Sequence, residues 1–218
     1  MLIAPLLLAS AICSPAGSHE LVGRWESHVT SKGGIGSVME YRQDGSFVEA
    51  AAILAGFRYE VRNDTVLIHE HGSAQRSSEN PLHFHFEDGV FVQKEPDGST
   101  IRRERVGKRD PKDPEIVGVW RYRHYTGGIA FERYTPDGDL LFRLPMTSST
   151  GCYVPSMEKH EVLLAPLKGA ARTVSLALSA TQLRLKSPGK PDFVYDRSPW
   201  GNWYDIDRID IILPRGSP

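Results

Sequence analysis

"ELVGRW" at residues 20–25 and "EIVGVW" at residues 115–120 are two versions of one hexapeptide. The likeness continues downstream at nearly constant offset. "EYRQDGSF" (40–47) matches "ERYTPDGDL" (132–140), "GFRYEV" (56–61) matches "GCYVPS" (151–156), and "RRERV" (102–106) matches "VYDRS" (194–198). Self-similarity at a period of roughly 90 residues means two copies of one unit rather than one unit of twice the size. The join, "GKRDPKDPE" (107–115), is charged, proline-bearing and without apolar periodicity, as a linker is. The expected organisation is a signal peptide at 1–18, a first unit at 19–106, a linker at 107–114, a second unit at 115–198 and a C-terminal extension at 199–218.

Within each unit the signals are those of strands. "SFVEAAAIL", "RYEVR", "TVLIHEH", "LHFHFEDGVFVQKE" and "TIRRERV" are short β-rich runs divided by Asn-Asp, Glu-Asp-Gly and Pro-Asp-Gly turn groups. The second unit reads likewise through "GIAFERY", "DLLFRL", "EVLLAPL", "TVSLALS" and "TQLRLK". No stretch of the mature chain carries a long stripe of period 3.6. Many short strands joined by tight turns predict an all-β antiparallel meander, and closing each meander on itself removes its exposed edges.

Each unit opens on Gly-x-Trp (Gly23/Trp25 and Gly118/Trp120), continues through Tyr-x-x-Asp-Gly (Tyr41/Asp44/Gly45 and Tyr134/Asp137/Gly138) and ends on an arginine-bearing strand (Arg105 and Arg197). In these motifs the chain resembles the lipocalin-like, or calycin, domain family, along nearly the whole mature sequence. The resemblance implies two tandem small antiparallel up-and-down barrels. It also implies that Trp25 and Trp120 close the barrel floors, with Arg105 and Arg197 lying across them in cation–π contact. Each unit is far shorter than a full lipocalin and has no counterpart of that family's later loop motifs. The implied barrels are therefore small and shallow, which argues against a large lipid as ligand.

With 26 Lys and Arg against 27 Asp and Glu, the formal net charge is −1. Nothing in that balance attracts nucleic acid or an anionic membrane surface. The beginning, "MLIAPLLLASAICSPAGS", is an apolar run followed by small residues, the layout of a secretory signal peptide, although no Lys or Arg precedes the run. The run is too short to span a bilayer, so the mature chain is expected to have no transmembrane segment. The expected location is therefore the periplasm or the secreted fraction. A lipid anchor on Cys13 is a weaker alternative, because Ile12 is bulky for that role. Cleavage near Ala16 removes Cys13 and leaves Cys152 alone, as a small buried apolar residue without a disulfide.

"VLIHEHGSAQRSSENPLHFHF" (66–86) holds two His-x-His pairs, His69/His71 and His83/His85. Residues two apart on a strand share a face, so the pairs offer a metal-site reading, that of a zinc carrier. Against it, Leu82, Phe84 and Phe86 claim the core and turn His83 and His85 outward, while Val66 and Ile68 do the same to His69 and His71. The second unit has no matching histidines.

If Trp120 faces inward, Tyr122 and His124 follow it on the same face, and Glu132 and Tyr134 share the inner face of the next strand. These four residues form the expected ligand-binding interior. They also support an enzymatic alternative, an isomerase or cyclase with His124 and Glu132 as an acid–base pair. The first unit has Ser27, Val29, Met39 and Tyr41 at those places, a blander interior. Arg143, between Phe142 and Leu144, is expected to point to solvent. In the tail, Trp203, Ile206 and Ile209 recur at helical spacing beside Asp205, Asp207 and Asp210, without a glycine-centred calcium loop. No catalytic or cofactor motif appears, and no cofactor is expected. The expected function is non-catalytic binding of a small, partly apolar ligand or of an envelope partner.

Overall fold

A computed structural model of the 218-residue chain describes residue 13 and residues 20–70 and 81–199. The rest of the expected signal peptide, His71, and the extension from Trp200 onward with Trp203, Asp205, Asp207 and Asp210 lie outside the described residues. No helix occurs among the described residues, and so none is long and apolar enough to cross a membrane. Among the described residues the elements are fourteen antiparallel strands. In the first half they are β1 (Gly23–Ser27), β2 (Ile35–Tyr41), β3 (Ser46–Arg62), β4 (Thr65–Glu70), β5 (Leu82–Glu87), β6 (Val90–Lys94) and β7 (Thr100–Val106). In the second half they are β8 (Gly118–Arg123), β9 (Ile129–Tyr134), β10 (Asp139–Ser156), β11 (Glu161–Pro166), β12 (Arg172–Leu178), β13 (Gln182–Lys186) and β14 (Phe193–Arg197).

Each strand pairs with its sequence neighbours, and β1 pairs with β14, so the sheet closes into a ring. One further pairing crosses that ring. Strands β3 and β10, of 17 and 18 residues, are about three times the usual strand length. They run antiparallel to each other from Asp139↔Arg58 to Cys152↔Ser46. The first part of β3 pairs with β2 on its other edge and the last part with β4. Likewise β10 pairs first with β9 and then with β11.

The ring thereby divides into two circuits of eight strands that share β3 and β10. Lobe 1 contains β1, β2 and β11–β14, and lobe 2 contains β4–β9. The two sequence units, 19–106 and 115–198, are expected to close separately. In the structure each lobe instead takes strands from both. Crossing strands need small side chains and a local break in the ladder. Ala50, Ala51 and Ala52 stand at the crossing, and the register shifts between Pro145 and Thr147, where proline has no N–H to donate.

Alternation of side chains decides which core each residue joins. Lobe 1 encloses Trp25, Met39, Tyr41, Phe47, Tyr153, Leu164 and Leu183, and lobe 2 encloses Val66, Phe91, Trp120, Tyr134 and Leu140. A third cluster, Val38, Val48, Ala50, Ala52, Leu54, Val119 and Phe131, draws on both lobes. β3 supplies all three clusters, through Phe47, Val48 and Tyr59.

The tight turns repeat the exchange. Tyr153 N–H donates to Gly45 O at 2.8 Å and its hydroxyl to Arg42 O at 2.9 Å. Tyr59 does the same to Gly138 O at 2.8 Å and Thr135 O at 2.7 Å. The Tyr-x-x-Asp-Gly turn of each unit is thus held by a tyrosine of the other. Tyr153 also meets Tyr41 edge-on at 4.9 Å, and Tyr59 meets Tyr134 at 5.0 Å.

Two expectations are corrected. Cys152 is not alone, because it forms a disulfide with Cys13, 139 residues away, which ties the N-terminal segment to β10. Arg143 does not point to solvent. It is 7% exposed, donates to Glu26 Oε2 through Nε and Nη2 at 3.0 and 2.7 Å, and donates to Ala55 O. The carboxylate that holds Arg143, Glu26, comes from β1 of the other unit, which one unit alone cannot reveal.

A chain interleaved in this way stays assembled after its linker is cut. With a protease site inserted in the exposed segment 108–112, the nicked and reduced protein is expected to elute as one folded species of the intact size. Separation into two independently folded halves in gel filtration contradicts the shared strands.

Candidate functional site

The repeated hexapeptide builds the same clasp twice. Trp25 Nε1 donates to Leu21 O at 3.0 Å, and Trp120 Nε1 donates to Ile116 O at 2.8 Å. The guanidinium of Arg197 lies 4.1 Å over Trp25, and that of Arg105 lies 4.0 Å over Trp120. Arg197 donates to Val22 O and Glu20 O, and Arg105 to Val117 O and Glu115 O. Gly23 and Gly118, at φ +135° and +137°, sit directly under these guanidinium groups. A Cβ at either position would press on an arginine Nη1, so only glycine admits the contact. The four residues expected to close the lobes do meet as tryptophan–arginine pairs. However, each tryptophan takes the arginine of the other sequence unit.

The expected ligand-binding residues of lobe 2 are partly brought together. Trp120 pairs with Glu132, and Tyr122 and Tyr134 flank it on the inner face. Glu132 is 6% exposed and accepts from four donors. Tyr122 hydroxyl (3.0 Å) and Arg103 Nη2 (3.3 Å) reach Oε1, and Tyr134 hydroxyl (3.0 Å) and Arg103 Nε (2.8 Å) reach Oε2. Arg103, 3% exposed, stacks 4.7 Å from the Tyr122 ring and 5.1 Å from Phe91. Burial works against its charge, yet the Glu132 carboxylate holds its pKa above the ordinary arginine value. Burial, reinforced by Glu132, raises the pKa of the Tyr122 and Tyr134 hydroxyls. Two buried atoms here, Arg103 Nη1 and Gln93 Oε1, have no hydrogen-bond partner among the described residues.

Sequence reasoning passed over Arg103 and Gln93. The signal was present, because Arg103 stands two residues before Arg105 on β7 and shares its face, and Gln93 likewise follows Phe91 on β6. His124 does not join the cluster. It stands just beyond β8 with Nδ1 2.8 Å from Thr126 Oγ1, and its ring lies 4.1 Å from that of Tyr125. Partial burial lowers its pKa, against a smaller opposing pull from Glu132. The structure has no hydrogen bond between His124 and Glu132, whose oxygens are taken by Arg103 and two tyrosines.

Of the histidine pairs, His83 and His85 keep the expected outward phase, His69 is half-buried, and His71 lies outside the described residues. His83 and His85 are exposed, while Phe84 and Phe86 pack against the lobe 2 core. Thr65, not His69, stands opposite His83, and His69 lies four residues farther along β4, about 13 Å away. His83 Nδ1 instead approaches Asp64 Oδ2 at 3.4 Å. Among the described residues no three His, Cys, Asp or Glu side chains are grouped to hold a metal ion.

Lobe 1 differs in its interior. Met39 stands opposite Trp25 where Glu132 stands opposite Trp120, and Tyr195 precedes Arg197 where Arg103 precedes Arg105. The Tyr41 hydroxyl, equivalent to that of Tyr134, is therefore buried with no partner among the described residues. Its pKa is raised by burial first and then by Tyr195 and Glu49. Above the core lies an open cavity of about 240 Å3. Met39, Leu164, Val174, Leu185 and Tyr195 form its apolar wall, and Arg172, Lys190 and Glu49 stand at its polar side. Arg172 Nη2 is 2.7 Å from Glu49 Oε2, whereas Lys190 has no ion pair among the described residues. Two larger hollows, of about 340 and 380 Å3, are outer grooves. Their charges are largely paired already, as in Arg143–Glu26 and Arg121–Glu104, and His28 Nδ1 lies 2.6 Å from Asp196 Oδ2.

Removing Glu132 strands a buried arginine. Glu132→Met is expected to lower stability in urea unfolding by about 3–5 kcal/mol. The pair Glu132→Met/Arg103→Tyr, which copies the Met39 and Tyr195 of lobe 1, is expected to recover most of that. A single-variant cost below about 1 kcal/mol contradicts a buried charge pair.

Comparison with protein-family models, with curated proteins and with solved structures gives no match for this chain.

Proposed function

We propose that the chain is an exported, non-catalytic binding protein whose lobe 1 cavity takes a small, partly apolar carboxylic acid. The observation that carries this reading is the combination, in one cavity lining, of an apolar wall with the two cations Arg172 and Lys190. Ligand sites combine apolar lining with a few placed polar groups in this way. At about 240 Å3 the cavity falls below the roughly 300–1,000 Å3 of drug-sized sites, so the occupant is small. Two cations against Glu49 favour an anionic head group, which meets Arg172 in competition with Glu49.

Lobe 2 is the poorer candidate. Tyr122, Glu132 and Tyr134 are bonded to one another and to Arg103, and Phe84, Phe86, Phe91 and Trp120 pack beside them. We read the two circuits as lipocalin-like barrels, one open and one filled by its own side chains. The doubled tryptophan–arginine clasp and the eight-strand count support that reading. Export is supported by the disulfide, since such bonds persist in oxidising compartments.

Titration of the oxidised protein with benzoate, hexanoate and octanoate, followed by calorimetry and NMR, tests the site. At least one acid is expected to saturate, with Arg172→Gln weakening it roughly tenfold or more, as loss of a charge-assisted hydrogen bond does. Ser187→Trp at the rim is expected to block it. Absence of saturation by all three acids, or binding unchanged in both variants, contradicts the proposal.

A further inference from the structure

We propose that the open end of lobe 1 docks on an anionic lipid bilayer, with three lysine-bearing loops against the head groups and apolar side chains beside them set into the interface. This goes beyond the ligand reading given above and does not depend on it.

The strands of lobe 1 alternate in direction round their circuit, from β11 through β14 to β1 and β2. The connections 28–34, 167–171 and 187–192 therefore leave at one end, opposite the Trp25–Arg197 clasp. The cavity opens at that same end, since Arg172, Ser187, Lys190 and Phe193 line it. Backbone bonds fasten two of these connections to the wall. His28 N–H donates to Val194 O at 2.8 Å, Leu167 N–H to Thr150 O at 2.8 Å, and Leu54 N–H to Gly34 O at 2.7 Å.

The three connections read HVTSKGG, LKGAA and SPGKPD, with one exposed lysine in each, Lys32, Lys168 and Lys190. Their single acid, Asp192, lies 3.8 Å from Arg184 Nη1 and 3.9 Å from Lys186 Nζ, while the three lysines have no ion pair among the described residues. Of the other acids at this end, Glu49 meets Arg172, and Asp196 lies 2.6 Å from His28 Nδ1. Beside the lysines stand uncovered apolar side chains, Val29 at 75% exposure, Leu167 at 65%, and Ile35 and Phe193 at 47% each.

Exposed apolar groups beside unpaired cations suit a bilayer surface, where the apolar groups enter below the head groups and the ammonium groups stay among them. The net charge of −1 does not oppose this, because a surface field is felt over only about 8 Å in physiological salt. Lobe 2 has the same frame without such a surface. Its equivalent connections are HYTGG (124–128), which has no lysine, and EPDGS (95–99), which carries Glu95 and Asp97. The third, between β4 and β5, falls outside the described residues apart from Pro81.

Cosedimentation of the full oxidised chain with phosphatidylcholine vesicles, with and without phosphatidylglycerol, tests the docking. Each lysine at an anionic surface strengthens binding roughly fivefold, and three on the order of a hundredfold. Binding is expected on the anionic vesicles only, and high salt is expected to weaken it. Lys32→Gln/Lys168→Gln/Lys190→Gln is expected to weaken it by about tenfold or more, whereas Lys94→Gln/Lys108→Gln/Lys112→Gln, away from this end, leaves it within about twofold. Val29→Ser/Leu167→Ser is also expected to weaken it. Circular dichroism checks that each variant is folded, and the single substitutions replace any combination that is not. Absence of binding to anionic vesicles, equal binding to neutral ones, or equal loss in both lysine triples overturns the proposal. Dimerisation that Leu167→Ser abolishes, with no vesicle binding, assigns this end to a second copy of the chain and overturns it as well.

Discussion

Strands β3 and β10 are hydrogen-bonded to each other along nearly their whole length, and this contact determines the remainder of the architecture. A strand has only two edges. Because each spends one edge on the other, its remaining edge must serve β2 and then β4, or β9 and then β11. A polar backbone group left unpaired in such a sheet is costly, so neither strand can turn back early into a sheet of its own. The eight-strand circuits, the exchanged tyrosines at the turns and the exchanged arginines over Trp25 and Trp120 all follow from that constraint. The apolar cluster of Val38, Val48, Val119 and Phe131 then fills the space where the two lobes meet.

Built on one frame, the two lobes have diverged inside. Glu132 and Arg103 form a buried charged pair satisfied by two tyrosines, and aromatic rings pack around them. Met39 and Tyr195 at the equivalent places need no ion pair; the Tyr41 hydroxyl has no hydrogen-bond partner among the described residues, and an open cavity is lined by Arg172 and Lys190. Buried ion pairs contribute little net stability but tolerate no single deletion, and they fix which side chains face one another. Lobe 2 is thus filled by its own side chains, whereas lobe 1 keeps an open cavity.

Much of this was legible in the sequence, and what was missed has a physical reason. The repeat, the turns, the all-β class and the outward phase of His83 and His85 follow from periodicity and turn chemistry. The exchange between units does not. Arg105 and Arg197 are the same residue type in the same local context, so a clasp within each unit and a clasp between units have identical sequence signatures. Arg143 was misjudged for the same cause, since its acceptors, Glu26 of β1 and Ala55 of β3, both come from the other unit. Cys13 was assigned to the leader lost on cleavage near Ala16, and nothing in residue spacing shows that it lies beside Cys152, 139 residues away. Arg103 shares the face of Arg105 on β7, but its partner Glu132 lies in the other unit, so the pair has no local signature.

The interleaving is most directly tested by double-mutant cycles on the four clasp residues, with Trp25 and Trp120 each replaced by Phe and Arg105 and Arg197 each by Lys. The account predicts coupling of about 0.5–2 kcal/mol for Trp25 with Arg197 and for Trp120 with Arg105, and coupling within error of zero for Trp25 with Arg105 and Trp120 with Arg197. Coupling that follows the sequence units instead, Trp25 with Arg105 and Trp120 with Arg197, contradicts it.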